Sequence, residues 1–175
     1  MSEDIQTMVE GAARAAKEAA VSLRSTSRAQ KDQALLAMAR LLKTREAEVL
    51  TANAKDLAAA EGTLDPARWD RGLRSPARIE AMAEGLRQVA ALPDPVGIVT
   101  TEKTLKNGLK LQKVRAPLGV VGIVFESRPN VTVDAASLCL KSGNACVLRG
   151  GSESLHSNVA RGSIIRAGLA ESGLP

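Results

Sequence analysis

Residues 117–132, PLGVVGIVFESRPNVT, decide the fold class of this chain. The apolar run over 118–125 is typical of a buried strand, and it ends in the polar cluster ESRPN. A helical pattern over 131–142, a second strand pattern over 145–149 and a helical pattern over 155–172 follow. Strands that alternate with helices predict an α/β fold, in which a parallel sheet carries helices on its faces.

Two polar segments, ESRPN at 126–130 and RGGSES at 149–154, begin where the two predicted strands end. Parallel sheets bind ligands at the carboxyl ends of their strands, so both segments are predicted to face a bound molecule. Gly150 and Gly151 would let the backbone approach a ligand, and the N–H groups that open the next helix favour an anion. Arg149 has the chemistry to pair with a phosphate or a ribose hydroxyl.

Ordinary structural roles stay open for the same residues. The RGGSES segment also fits a simple strand–helix turn, with Ser152 or Ser154 as the helix N-cap. In the first segment, Asn130 and Thr132 are suitable caps for the helix that begins near residue 131, and Arg128 is acceptable as a solvated charge. These patterns alone do not choose between a turn and a binding site.

The region before residue 96 is predicted to be helical. Apolar residues recur at three-to-four spacing from residue 3 to Gly62, with a break at RSTSR. The first stripe consists of Ile5, Met8, Val9, Ala12, Ala16, Ala19 and Leu23. The later stripes contain Leu35, Met38, Leu41, Leu42, Val49, Leu50 and Leu57. After a polar linker, Ser75–Pro76 is an N-cap pair that begins a helix with Ile79, Met82, Leu86 and Val89 on one face.

Residues 97–115 alternate apolar with polar side chains around Asn107–Gly108. This pattern predicts a β-hairpin in which both turn residues have positive φ. Because the hairpin is polar on both faces, we expect it to project from the body of the protein. It is either a solvated hairpin or a ribbon that pairs with another subunit.

The composition limits the classes of function. The chain has 175 residues, is 45% apolar and 25% charged, and carries a formal net charge of +5. Its basic residues are spread along the sequence with acids nearby and almost no aromatic residues for base stacking, which argues against nucleic-acid binding. No secretory signal precedes the helical region, and no stretch approaches the roughly 18 apolar residues of a membrane span. We therefore expect a cytoplasmic protein with no membrane partner.

The sequence shows no catalytic or metal-binding set. Cys139 lies in a predicted helix and Cys146 in a predicted strand, where free cysteine behaves as a small apolar residue. His156 is the only histidine, and no Ser/His/Asp or Cys/His combination can be assembled around it. We expect no metal and no catalytic residue in these 175 residues.

The segment 114–158 closely resembles glutamate-5-semialdehyde dehydrogenase, also called gamma-glutamyl phosphate reductase. Its motifs PLGVVGIVFESRPNVT and KSGNACVLRGGSE carry the resemblance. This family is the proline-biosynthesis branch of the aldehyde dehydrogenase superfamily. The helical N-terminus, the ANAKDL stretch at 52–57 and the hairpin are similar to the family as well, so the resemblance covers essentially the whole chain.

The resemblance implies an aldehyde dehydrogenase-like fold, of which this chain holds an incomplete part. Residues 1–96 would be the helical N-terminal part of the cofactor domain, and residues 97–116 would be the β-ribbon through which the family forms homo-oligomers. Residues 117–175 would be the first βαβα units of the Rossmann-like sheet that binds NADPH. The catalytic domain of the family has no counterpart in this chain.

The resemblance also implies cofactor contacts. Arg149 matches the basic residue that reaches the adenosine ribose and its 2′-phosphate in NADPH. Ser152 and Glu153 match positions near the adenosine half, and Phe125 and Glu126 at the end of the first strand are assigned to the cofactor too.

Substrate contacts are implied for Arg128 and Asn130. Residues 125–130 correspond to the Pro-Trp-Asn motif of the wider superfamily, but Phe-Glu-Ser-Arg-Pro-Asn stands here instead. An acyl phosphate brings more negative charge than an aldehyde, and an arginine would match that charge.

The implied activity is the NADPH-dependent reduction of L-glutamyl 5-phosphate to L-glutamate 5-semialdehyde and phosphate, the second step of proline biosynthesis from glutamate. The nucleophilic cysteine of the family belongs to the catalytic domain and is expected downstream of Pro175. Cys139 and Cys146 do not match it, so we expect no turnover from this chain alone. The alternative is a non-catalytic nucleotide-binding or assembly module derived from such an enzyme.

Overall fold

The computed structural model describes residues 2–59, 75–126 and 130–175. Its helices are α1 (Ser2–Leu23), α2 (Arg28–Thr44), α3 (Glu46–Ala59), α4 (Pro76–Ala91), α5 (Val131–Lys141) and α6 (Leu155–Glu171). Its strands are β1 (Val99–Thr104), β2 (Lys110–Val114), β3 (Val120–Val124) and β4 (Ala145–Arg149). A single 3₁₀ turn, Ser152–Ser154, precedes α6. The predicted elements from residue 117 onward are confirmed to within two residues at each end, but the prediction that the first strand is buried is wrong, since β3 alternates exposed and half-buried residues.

Two small sheets are present among the described residues. Strands β1 and β2 form an antiparallel hairpin, while β3 and β4 pair in parallel, in register from Val120 opposite Ala145 to Val124 opposite Arg149. Helix α5 connects β3 to β4, so this part of the chain is a βαβ unit. Helix α1 contacts both parallel strands, and α5 contacts β4. The parallel pairing confirms the α/β prediction.

Helix α2 is the centre of the core because it contacts α3, α4, α5 and α6. Its predicted stripe is confirmed, and so are the inward positions of α4. The fully buried apolar side chains of these helices include Leu35, Met38, Leu42, Ile79, Met82, Leu86 and Ile164. Capping also follows prediction, since the Ser75 hydroxyl accepts a hydrogen bond from the Arg78 amide at 3.3 Å.

The apolar stripe predicted for α1 is only half correct. Leu23 is buried and Ala16 and Ala19 pack against the core, but Ile5 and Met8 are 58% and 66% exposed. Periodicity identifies a helix and its apolar face, yet it does not say how far along the helix a neighbour extends. The predicted end of the third stripe, Gly62, lies outside the described residues.

The hairpin projects from the body as predicted, because every residue of β1 and β2 is exposed. Its turn differs from the prediction, since Gly108 has a φ of 85° but Asn107 does not have positive φ. The amide of Leu105 donates to the carbonyl of Leu109 at 2.8 Å, and the amide of Gly108 donates to the carbonyl of Leu105 at 2.9 Å. A three-residue loop of this kind needs positive φ only at its glycine.

Two buried lysines join the ends of α2, α4 and α5. The Lys141 ammonium donates to Asp32 at 2.5 Å and to the carbonyl of Ala90 at 2.7 Å. The Lys31 ammonium pairs with Asp94 at 2.5 Å and donates to the carbonyl of Lys141 at 3.3 Å. Burial would raise the pKa of Asp94, but hydrogen bonds from Lys31 and from a backbone amide outweigh it and hold this pKa below its ordinary value. Sequence patterns gave no sign of this network.

Helices α2 and α6 approach so closely that position 168 requires glycine. A Cβ at Gly168 would lie 2.5 Å from Cγ of Met38 and 3.0 Å from its backbone nitrogen. At Gly162, on the same helix, the nearest atom would be a guanidinium nitrogen of Arg166 at 3.6 Å, which is an ordinary contact.

We therefore expect Gly168→Ala to lower the free energy of unfolding by about 1–3 kcal/mol, because the α2 backbone must move. The matched variant Gly162→Ala should instead raise it by roughly 0.5–1 kcal/mol through the higher helix propensity of alanine. Urea unfolding of both variants measures the difference. Equal free energies of unfolding for the two variants would show that α2 and α6 do not approach so closely at position 168.

Candidate functional site

The candidate site lies at the carboxyl ends of the two parallel strands. The amide of Phe125 donates to the carbonyl of Arg149 at 3.0 Å, which continues the pairing one residue beyond β3. The segments that follow the two strands therefore begin side by side, as predicted. Glu126 and Arg149 are both exposed there. No hydrogen bond or ion pair joins the Arg149 side chain to another described residue, so its guanidinium is free to meet an anion.

Two side chains approach Gly150 closely. A Cβ at this position would overlap the amide nitrogen of Asn158, and it would lie 3.1 Å from Cγ of Asn158 and 3.2 Å from Cε2 of Phe125. Glycine is required here because helix α6 and the Phe125 ring come so close to the turn. The predicted close approach at Gly150 is thus present, but it is made by the protein's own side chains.

Gly151 and Glu153 form the second half of the turn. Gly151 is buried, and a Cβ there would lie 2.5 Å from Cδ of Glu153, so the carboxylate folds back over the glycine. Ser152 is exposed next to them. The residues predicted from the resemblance, Arg149, Ser152 and Glu153, therefore belong to one turn, which lies beside Phe125.

The start of α6 is occupied by an acidic side chain from another helix. Asp56, on α3, accepts hydrogen bonds from the amides of His156 at 2.9 Å and Ser157 at 2.8 Å. Ser154 takes the N-cap position without a side-chain hydrogen bond. The prediction that the amides opening this helix are available to an anion is therefore wrong for these two, because a carboxylate already holds them. Only the ANAKDL motif pointed to this part of α3.

A buried polar cluster lies behind the turn, between α5 and α6. The Thr132 hydroxyl donates to Oδ1 of Asn158 at 2.8 Å, and Nη2 of Arg161 donates to the same oxygen at 3.2 Å. Arg161 is fully buried, and its Nε donates to the carbonyl of Ser157 at 2.8 Å. Burial lowers the pKa of Arg161 to about 10, although the Asp56 carboxylate acts in the opposite direction. Thr132 thus links two helices and is not a cap.

The substrate residues implied by the resemblance are only partly visible. Asn130 begins α5, and its carbonyl accepts hydrogen bonds from the amides of Val133 and Asp134, both at 2.9 Å. Its side chain makes no capping hydrogen bond, so the Asn130 side chain does not act as the N-cap of α5. Arg128 lies outside the described residues.

The two cysteines are closer to each other than the sequence suggested. Cys139 is buried and Cys146 is partly buried, as expected for core residues. A hydrogen bond between the two thiols lowers the pKa of Cys139 to about 7, against the effect of burial, and raises the pKa of Cys146. The described residues contain no group of three or more potential metal ligands.

A groove lies elsewhere, between α3 and α6. Its volume is about 690 Å³, and Lys55, His156 and Val159 are among the residues that line it. No residue assigned to the cofactor or the substrate lines this groove. None of the described helices is long and apolar enough to cross a membrane.

Two solved structures of enzymes with one name are similar to this chain over nearly all of its length. Gamma-glutamyl phosphate reductase from Thermotoga maritima is 40% identical to this chain with a TM-score of 0.91, over 94% of this chain and 40% of that one. The enzyme of the same name from Saccharomyces cerevisiae is 34% identical with a TM-score of 0.87, over 94% of this chain and 43% of that one. The resemblance to gamma-glutamyl phosphate reductase is confirmed. No protein-family model matches the chain.

More distant structures extend the likeness to the aldehyde dehydrogenase fold. A probable aldehyde dehydrogenase from Listeria monocytogenes is 18% identical with a TM-score of 0.72, over 97% of this chain and 35% of that one. At this identity the likeness concerns the fold alone. The chain spans about two fifths of the length of the two gamma-glutamyl phosphate reductases, consistent with the predicted N-terminal portion.

Proposed function

We propose that this chain is the cofactor-binding part of an NADPH-dependent gamma-glutamyl phosphate reductase. The reaction is the reduction of L-glutamyl 5-phosphate to L-glutamate 5-semialdehyde and phosphate, the second step of proline biosynthesis from glutamate. The main support is the Arg149 guanidinium, which has no hydrogen bond or ion pair with any described residue and lies at the carboxyl end of β4, next to the Gly150–Gly151 turn. The two relatives above 30% identity carry the name of this enzyme.

The residues at the strand ends fit a dinucleotide phosphate. Arg149 would hold the 2′-phosphate and the adenosine ribose, since a guanidinium forms paired hydrogen bonds with phosphate oxygens. Ser152 and Glu153 would contact the adenosine half, and Phe125 and Glu126 would border the cofactor from the end of β3. NADPH supplies the hydride when bound. In this proposal β3, α5, β4 and α6 are the first units of a Rossmann-like sheet.

The substrate phosphate needs a positive partner on the other polar segment. Arg128 and Asn130 follow β3 and are proposed to bind L-glutamyl 5-phosphate, Arg128 by charge and Asn130 by its amide donor. Asn130 makes no capping hydrogen bond, so its side-chain oxygen is not held by the start of α5. Cys139 and Cys146 are not proposed as the nucleophile, because both belong to the α5–β4 packing rather than to the strand ends.

The proposed division of the chain follows these roles. Residues 1–96 support the cofactor domain, 97–116 form an oligomerisation ribbon, and 117–175 carry the cofactor contacts. The ribbon is exposed along both strands, and it bears five cationic side chains against one acidic side chain. These are Lys103, Lys106, Lys110, Lys113, Arg115 and Glu102. We propose that the ribbon pairs with the ribbon region of another copy of the protein. We also propose that the protein acts in the cytoplasm.

The exposed ribbon also favours the alternative, an assembly module without catalytic function. A titration of the wild-type chain with NADPH, followed by the fluorescence of the reduced nicotinamide, tests the proposed function. We expect saturable binding and no turnover, with NADPH bound more tightly than NADH because only NADPH offers the 2′-phosphate. Self-association in sedimentation runs without any NADPH binding would favour the assembly module and contradict the cofactor proposal.

A further inference from the structure

Asn158 is held in place by its side-chain oxygen. This residue lies in the second turn of α6, and Oδ1 accepts hydrogen bonds from Thr132 on α5 and from Arg161 one turn further along α6. Thr132 is 4% exposed and Arg161 is fully buried, so both donors are fixed by the surrounding packing. The amide group of Asn158 therefore has a defined orientation.

Arg161 decides which atom of this amide is oxygen. A threonine hydroxyl can donate or accept, so the contact with Thr132 alone would fit either orientation. A guanidinium only donates hydrogen bonds, and the atom of Asn158 that faces Nη2 of Arg161 at 3.2 Å must be an acceptor. The NH₂ group of Asn158 consequently points the other way, toward Gly150.

This NH₂ group has no acceptor among the described residues. Within the described parts of the chain, every hydrogen bond of the Asn158 side chain goes to Oδ1. Nδ2 lies close to the position that a Cβ of Gly150 would take, and so does the ring of Phe125. Gly150 and Phe125 follow the two parallel strands directly, so the free donor is at the strand ends where such sheets bind their ligands.

We propose that Nδ2 of Asn158 donates a hydrogen bond to the ligand bound at this turn. The matching group is a phosphate or ribose oxygen of the dinucleotide, and in this respect the inference rests on the proposed function. The side-chain oxygen is used for packing α5 against α6, and the nitrogen is used for binding.

The isosteric variant Asn158→Asp separates the two roles. The aspartate keeps an oxygen for Thr132 and gains a charge attraction to Arg161, so the melting temperature should not fall. It loses the donor and places a carboxylate where a ligand oxygen would sit. We expect NADPH binding, measured by nicotinamide fluorescence, to weaken about tenfold or more.

Two further variants make the test decisive. Asn107→Asp, in the hairpin turn, makes the same amide-to-carboxylate change and keeps the Oδ1 that accepts from the Leu109 amide. It should leave NADPH binding within about twofold of wild type. Thr132→Val removes one contact to Oδ1 but keeps the donor, so it should lower the melting temperature with little change in binding.

Each outcome has one meaning. Wild-type binding of NADPH together with unchanged binding by Asn158→Asp would overturn this inference alone. Equal losses of binding in Asn158→Asp and Thr132→Val would also overturn it, because Asn158 would then act through packing. Failure of the wild-type chain to bind NADPH would overturn both this inference and the proposed cofactor site.

Discussion

Lys141→Met is expected to lower the free energy of unfolding by about 2–3 kcal/mol. Methionine keeps the length of the side chain but removes the ammonium that donates to Asp32 and to the carbonyl of Ala90. Lys141 is 3% exposed, and water cannot replace the hydrogen bond to that carbonyl without opening the packing of α4 against α5. Asp32 is partly exposed and keeps its ion pair with Arg28, so most of the expected cost comes from the unsatisfied carbonyl of Ala90 and the lost charge-assisted hydrogen bonds.

The measurement is urea unfolding, with the midpoint and slope compared between variants. Arg40→Met is the matched control, since it removes the cation from the ion pair between Arg40 and Glu171, which joins α2 to α6. Both members of that pair are about half exposed, so the control should lose less than roughly 1 kcal/mol. A loss from Lys141→Met no larger than that from Arg40→Met would show that the lysine network does not stabilise the junction of α2, α4 and α5.

The local elements were predictable because each follows from a short repeating pattern. The stripe Leu35–Met38–Leu42 buries α2 on the core, and the Ser75–Pro76 pair begins α4 at the expected residue. The alternation of strands with helices after residue 117 predicted the parallel pairing of β3 with β4. The extent of burial along α1 was not predictable, since exposure of Ile5 depends on where the neighbouring elements end.

The place of the candidate site in the fold follows from the sequence, but the contacts that hold its residues do not. Arg149 and the glycine turn follow a predicted strand, and general rules for parallel sheets place a ligand there. Asp56 reaches the start of α6 from a position 100 residues earlier in the chain, and no periodicity or spacing reports such a contact. The same holds for Thr132 and Asn158, which look like polar surface residues in the sequence and meet only in the folded chain.

Arg149→Glu is expected to weaken NADPH binding at least about 100-fold. The substitution removes a guanidinium that can hold the 2′-phosphate and places a negative charge at the same point. Because no ion pair or hydrogen bond of the Arg149 side chain joins it to the described residues, the fold should tolerate the change, with a melting temperature within a few degrees of wild type. Loss of binding would therefore report on the ligand contact rather than on unfolding.

Arg166→Glu provides the matched control for Arg149→Glu. Arg166 is exposed on α6, about 16 Å along the helix from its first residue, and its reversal changes the net charge of the chain equally. It should reduce NADPH affinity by less than about threefold, and that reduction should vanish at high salt because such distant charges are screened.

A third variant, Arg149→Leu, should remove most of the preference for NADPH over NADH, since the two cofactors differ only in the 2′-phosphate. If Arg149→Glu bound NADPH as tightly as the wild-type chain, the cofactor would have to lie away from β4, and the assignment of Arg149 to the 2′-phosphate would be wrong.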